Sequence, residues 1–157
     1  MQTTVRESML PAFEGLVADQ RPHDIITRRA AANLKFGYGV VQTAAIGDVN
    51  VPAATGFVFE GVTLHTHNVE PVAGVRQYYE KDPVPVLRKG VIWVLAEVAI
   101  SVGDPVYLRH TAGGAGQVPG RFRNTADTAK ADQITQARWL SETTGTDQLA
   151  MLEINLV

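Results

Sequence analysis

The sequence predicts an all-β fold: a single β-sandwich or jelly-roll-like barrel with an extended N-terminal arm and long surface loops. Three observations carry this. The stretch from Val84 to His110 is dense in β-branched and aromatic residues, with Gly, Asp and Pro as punctuation. The 14 glycines and 8 prolines are spread along the chain, which suits many turns rather than a few long helices. Short strand-like runs recur at fairly even spacing, with no internal repeat and no heptads, the pattern of a sandwich or barrel.

The chain can be taken in order. Residues 1–22 read as an arm and residues 23–157 as the body. In the arm, Val5, Met9, Leu10, Phe13, Leu16 and Val17 keep neither a helical nor a strand period, and Pro11, Gly15 and Pro22 interrupt any long element. A disordered tail is usually poorer in large apolar residues, so the arm is expected to lie on another surface. Ile25-Ile26-Thr27 favours a strand, although Asp24 and the Arg-Arg-Ala-Ala-Ala run would also suit a helix. Leu34 to Gln42 reads as the next strand, Ile46-Gly47-Asp48 as a turn, and Gly56 to His65 as a strand with a bulge at Gly61. Asn68 to Pro85 is polar and Pro-broken, a long surface loop carrying Tyr78-Tyr79.

In the central block, Val91 to Ala96 contains no polar residue and is too short for a buried helix, so a strand buried on both faces is expected, with Trp93 inside. Turns are expected near Lys89-Gly90 and at Gly103-Asp104-Pro105. Thr111 to Gly116 is a flexible turn, Val118 to Arg123 a short strand, and Asn124 to Gln133 a loop or one helical turn. Ala137 to Ser141 and Leu149 to Leu156 form a closing hairpin in which Leu152, Ile154 and Leu156 share one face.

Composition narrows function. The 157 residues fit one domain. Charged residues make up 19%, against roughly 25% in ordinary globular proteins, which leans toward a surface partly covered in an assembly. A net charge of −2 gives no electrostatic case for nucleic acid or an anionic membrane. Cysteine is absent, which excludes disulfides and thiolate metal sites. No apolar run approaches the roughly 18 residues of a membrane span, and the first residues lack the order of a signal peptide, so neither membrane insertion nor secretion is expected.

Candidate chemistry is sparse. His65-Thr66-His67 with Glu70 is the one constellation that resembles a metal site: two histidines at i and i+2 of a strand share a face. Cupin barrels carry a related pattern, but here only Asn68 and Val69 separate His67 from Glu70, fewer than that pattern leaves, and only His110 follows as a further histidine. A strand end with two exposed or hydrogen-bonded histidines explains the same residues, and short motifs are unspecific. Gly113-Gly114-Ala115-Gly116 lacks the Lys-Ser/Thr of a phosphate loop. No serine sits in a nucleophile elbow. Arg28-Arg29 and Arg121-Phe122-Arg123 are expected to pair with a partner or to lie solvated. Tyr78 and Tyr79 suit either interface anchors or core, and with Trp93 could form the platform of a carbohydrate-binding module.

In order and spacing, several segments resemble the structural cement, or capsid decoration, proteins of tailed bacteriophages. They are Gly15 to Asp19 with His23 to Arg28, Phe36 to Val41, Phe57 to His65, Val86 to Val94, Gly103 to Tyr107, Pro119 to Phe122, and the last strand from Leu149 to Leu156. The resemblance implies a non-enzymatic virion protein with no cofactor and no metal. It implies a place on the outer surface of the icosahedral capsid after synthesis in the host bacterial cytoplasm. It also implies a homo-oligomer, dimer or trimer, that bridges neighbouring copies of the phage major capsid protein and stabilises the shell. The interface candidates are then Val5, Met9, Leu10, Phe13, Leu16, Val17, Tyr78 and Tyr79. The alternatives are a cupin-like metal-dependent binder or enzyme using His65, His67 and Glu70, and a β-sandwich carbohydrate-binding module.

Overall fold

A strand of fourteen residues, β5 (Pro83–Ala96), organises the molecule. A computed structural model describes residues 12–156. Around β5 lie β1 (Asp24–Ala30), β2 (Gly39–Gln42), β3 (Asp48–Asn50), β4 (Phe59–Thr63), β6 (Tyr107–Arg109), β7 (Phe122–Arg123), β8 (Ala131–Gln133), β9 (Ala137–Trp139) and β10 (Gln148–Asn155). The described residues contain no helix. The all-β, jelly-roll-like fold class is therefore what the chain adopts.

Five strands close on themselves in the order β1-β3-β2-β4-β5 and back to β1, a small barrel. Closure removes sheet edges. A path β5-β7-β6-β8 and the hairpin β9-β10 extend from the far half of β5. The near half of β5, Pro83 to Lys89, pairs with β1, and the far half, Lys89 to Ala96, pairs with β10. Val84 and Val86 join Leu34, Phe36, Val40, Val49 and Tyr78 in one apolar cluster. Ile92, Val94 and Ala96 join Leu108, Phe122, Trp139, Leu152 and Ile154 in a second.

The turn expected at Lys89-Gly90 is not there. β5 runs straight through, with Lys89 paired to both Asp24 and Asn155. The residues that read as a turn mark the place where β5 changes partners. Gly90 has φ +128°, and a Cβ on it would lie 2.9 Å from the Cβ of His23, so glycine is needed there for backbone and for space. The run that follows is not buried on both faces either. Ile92, Val94 and Ala96 are fully buried, whereas Trp93 and Leu95 are half-buried. The large buried indole is Trp139, 1% exposed.

Other local readings hold. Gly61 sits at a register shift between β2 and β4, a bulge. The chain turns at Ile46-Gly47, and β9 and β10 form the closing hairpin, with Ala150, Leu152 and Ile154 inward. Asn124 to Lys130 is a loop, but Ala131 to Gln133, read with it, forms β8; β2 is shorter than Leu34 to Gln42, Leu34 making only a bridge to Tyr78.

Candidate interaction surface

The described part of the arm belongs to the body. Gly15 N–H donates to the Trp93 carbonyl at 2.8 Å, Trp93 N–H to the Leu16 carbonyl at 2.9 Å, and Ala18 N–H to the Val91 carbonyl at 2.8 Å. Leu16 to Ala18 thus runs antiparallel to β5 and is followed in the same sense by β1. On its other side Gly15 accepts from His65 N–H at 2.8 Å. Gly15 and Gly37 both have positive φ, and a Cβ on Gly15 would come within 2.7 Å of His65 N and 2.9 Å of Gly37 N. The two glycines let three backbones meet where a side chain would hold them apart. The boundary at residue 22 therefore falls inside the body rather than at its edge.

Side chains cluster around this root. The Phe13 ring lies 4.8 Å from the His65 ring, and His65 lies 4.6 Å from Phe36 and 4.7 Å from His67. Phe36 meets Tyr78 edge-on at 5.1 Å. Burial of His65, with the neighbouring charges of His67 and Arg76, pushes its pKa below the ordinary histidine value. Arg76 Nη1 lies 3.2 Å from His67 Nδ1. Glu14 is pushed up by burial, opposed by the charges of Arg121 and Lys35.

The interface candidates part company here. Phe13 is 46% and Leu16 37% exposed, so both present apolar surface although their backbone is held. Val17 is half-buried against the core around β10. Val5, Met9 and Leu10 lie outside the described residues. Tyr78 is 1% exposed, and its hydroxyl donates to the Leu64 carbonyl at 2.5 Å; it is core, and offers nothing to a partner. Tyr79 is half-buried, and its hydroxyl donates to the Val75 carbonyl at 2.8 Å and accepts from Val72 N–H at 3.1 Å.

The metal and carbohydrate alternatives lose their geometry. His65 and His67 meet edge-to-face, but among the described residues no group of three or more His, Cys, Asp or Glu side chains comes together to hold a metal, so Glu70 does not complete a site. Glu70 lines a groove of about 530 Å³ with Val72, Tyr79, Asp82 and Pro83. With Tyr78 in the core, the three aromatic residues do not form an exposed platform.

Sequence reasoning missed the buried charges. Arg109, its side chain 0% exposed, donates from Nε and Nη2 to both oxygens of Glu97 at 2.7 and 2.9 Å, and from Nη2 to Asp127 at 2.5 Å. Arg123 Nη1 reaches Glu97 at 3.2 Å and Asp127 at 2.9 Å. The arginine pairs find carboxylates within the chain: Arg28 meets Glu60 at 2.6 Å, Arg29, itself exposed, meets Asp48 at 2.7 Å, and Arg121 meets Asp147 at 3.4 Å with its guanidinium over the Tyr38 ring. Spacing could not show this, because each carboxylate comes from a different strand or loop. The local pattern gave no hint: in the Val106-Tyr107-Leu108-Arg109 run Arg109 falls on the face of half-buried Tyr107, opposite Val106 and Leu108, where alternation leads one to expect an outward residue.

A closed barrel that pairs many of its charges within the chain, and exposes apolar side chains at its N-terminal root, on the Val72–Val75 turn and at Ile46, Val58 and Val102, has the make-up of a structural interaction module. The family model described as "Structural cement protein (E217 gp24/Pam3 gp6)" matches residues 1–155. The chain belongs to that family, and with it to the structural proteins of the phage capsid. Among solved structures, a chain of the capsid of Myoviridae phage XM1 is similar at TM-score 0.78 and 18% identity, covering 99% of this chain and 97% of that one. The N base of head fiber gp8.5 of bacteriophage phi29 aligns at TM-score 0.45 and 17% identity, over 85% of this chain and 95% of that one. No curated protein matches.

Proposed function

We propose that the protein is a non-enzymatic cement: it binds the outer surface of the icosahedral head, contacts the phage major capsid protein and bridges neighbouring subunits. The carrying observation is the family match along residues 1–155. The held root of the arm, with Phe13 and Leu16 exposed on a backbone bonded to β5, supports it. One chain could then engage one subunit with its body and another with its arm. Linked contacts act at high effective concentration, so modest contacts sum to high avidity, and a dimer or trimer multiplies the gain.

Two truncations test this. Removing residues 1–11 should leave the melting temperature of the body unchanged and weaken co-sedimentation with heads that lack the protein. Removing residues 1–21 should also lower the melting temperature, because β5 loses its bonds to Leu16 and Ala18. Equal attachment of the shorter truncation and the full chain would show that the arm is no tether.

A further inference from the structure

Between Glu70 and Arg76 the chain exposes five apolar residues in a row, Pro71-Val72-Ala73-Gly74-Val75, in a tight hairpin. Val72 and Val75 exchange both backbone hydrogen bonds, at 3.1 and 3.0 Å. The central residues Ala73 and Gly74 have φ of +50° and +79°, the primed turn of a two-residue hairpin. The Tyr79 hydroxyl ties both ends together from beneath. Val72 is 58% exposed and Val75 47%. An apolar tip held in one shape by a hydroxyl clamp, with an alanine in the left-handed region, is built to be rigid before anything touches it.

Rigid exposed valines contribute nothing in water. The question is what covers them. The groove beside the hairpin carries the carboxylates of Glu70 and Asp82 and the amide of Asn68, so the same face of a second copy would bury valine against groups that need water. No aromatic face stands on the hairpin to stack a sugar. The hairpin is continuous with the arm root: Arg76, next to Val75, reaches His67, which meets His65 edge-on, and His65 touches the exposed ring of Phe13. Glu70 and Arg76 flank the tip as a polar rim around an apolar centre, the usual anatomy of a protein interface.

We propose that the Val72–Val75 hairpin is a preformed plug that seats in an apolar cleft of a coat subunit, beside the place where the arm root meets the shell. This rests on the attachment to the capsid proposed above. Tyr79 is then a positioning residue: it shapes the plug without touching the coat.

The experiment compares the full chain with its Val72→Asp, Val75→Asp and Tyr79→Phe variants. The readouts are co-sedimentation with heads lacking the protein, thermal melting and light scattering. Each aspartate should weaken attachment by at least about tenfold, since a charge would be buried without a partner, and should leave melting and oligomeric mass unchanged. Tyr79→Phe should weaken attachment less, and Tyr79→Phe with Val75→Asp should be no weaker than Val75→Asp alone. Aspartate variants that bind as tightly as the unaltered chain would overturn the proposal and leave the cement reading standing. A change of oligomeric mass would assign the hairpin to contact between copies, and a lowered melting temperature would assign it to packing within the chain; either overturns it. If the unaltered chain itself fails to bind heads, the cement reading falls and the plug with it.

Discussion

Of the turns that hold non-glycine residues in the left-handed backbone region, the Val72–Val75 hairpin and the loop between β7 and β8 are held by opposite means. In the hairpin one such residue, Ala73, is kept in place by a single neutral hydroxyl at the surface. In the loop between β7 and β8 three stand in a row, Asp127, Thr128 and Ala129, with φ of +45°, +55° and +60°. Each such residue costs roughly 1–2 kcal/mol, so the loop needs a stronger anchor than the hairpin. It has one: the Asp127 carboxylate is taken by Arg109 and Arg123, and both are also tied to buried Glu97. The comparison teaches where strain can be kept. An ion pair holds a costly turn but needs burial, so it suits a loop that shapes the body. A hydroxyl holds a cheaper turn and leaves its apolar tip free, which suits a contact surface.

The sharpest way to break the comparison is Arg109→Ala. It leaves Glu97 buried with only Arg123, and should destabilise by about 3–5 kcal/mol in denaturant unfolding. A loss below about 1 kcal/mol would show that the buried cluster holds nothing.

Asp127→Asn comes next. It keeps the shape but gives up the charge, and about 1.5–3 kcal/mol should go, as for hydrogen bonds to charged groups. The hydrogen bond from Arg109 holds the Asp127 carboxyl below the ordinary value of 3.8. A depressed carboxylate contributes stability above its unfolded pKa and loses it as pH falls through the folded value. The unaltered protein should therefore shed this stability on the acid side of about pH 4, and the asparagine variant should lack that part of the acid slope.

Tyr79→Phe should cost under about 1 kcal/mol of stability, because the hairpin is solvated once its clamp is lost. Hydrogen exchange at Val72 should nevertheless speed up, while exchange at Ala131, which closes the loop at the start of β8 by donating to the Ala126 carbonyl, stays slow. Equal protection at Val72 in both proteins would mean that the primed turn holds itself.

Glu14→Gln should have the smallest effect and the opposite sign to Asp127→Asn. Burial raises the Glu14 pKa above 4.5, so its contribution is greatest at low pH and is lost as pH rises through the folded value. The glutamine variant should be slightly more stable at pH 7 and flatter with pH just above 4.5. A variant less stable at pH 7 would show that the ion pair to Arg121, 3.6 Å away, outweighs burial.

Much of the fold was legible in the residues themselves. The alternation of β10, the turn at Ile46-Gly47, the bulge at Gly61 and the closing hairpin are written locally, because side-chain period and glycine conformation act within a few residues. The arrangement of those pieces was not. Lys89-Gly90 has the composition of a turn, yet pairing with Asp24 on one strand and with Asn155 and Ile154 on another keeps it extended, and those partners lie far away along the chain. The same distance hid the rest. Tyr78 reads as a loop residue and is core, because Leu34 and Leu64 close over it. Trp93 reads as core and is only half-buried, although its backbone is paired with the N-terminal root. Arg28 and Arg29 read as partner-facing or solvated and are paired with carboxylates from other strands of the same chain. By itself the sequence determined the all-β class, the turns other than the one read at Lys89-Gly90, and the likeness to a cement protein. Only the tertiary structure decided which apolar side chains remain outside, because exposure depends on what the rest of the chain packs against them.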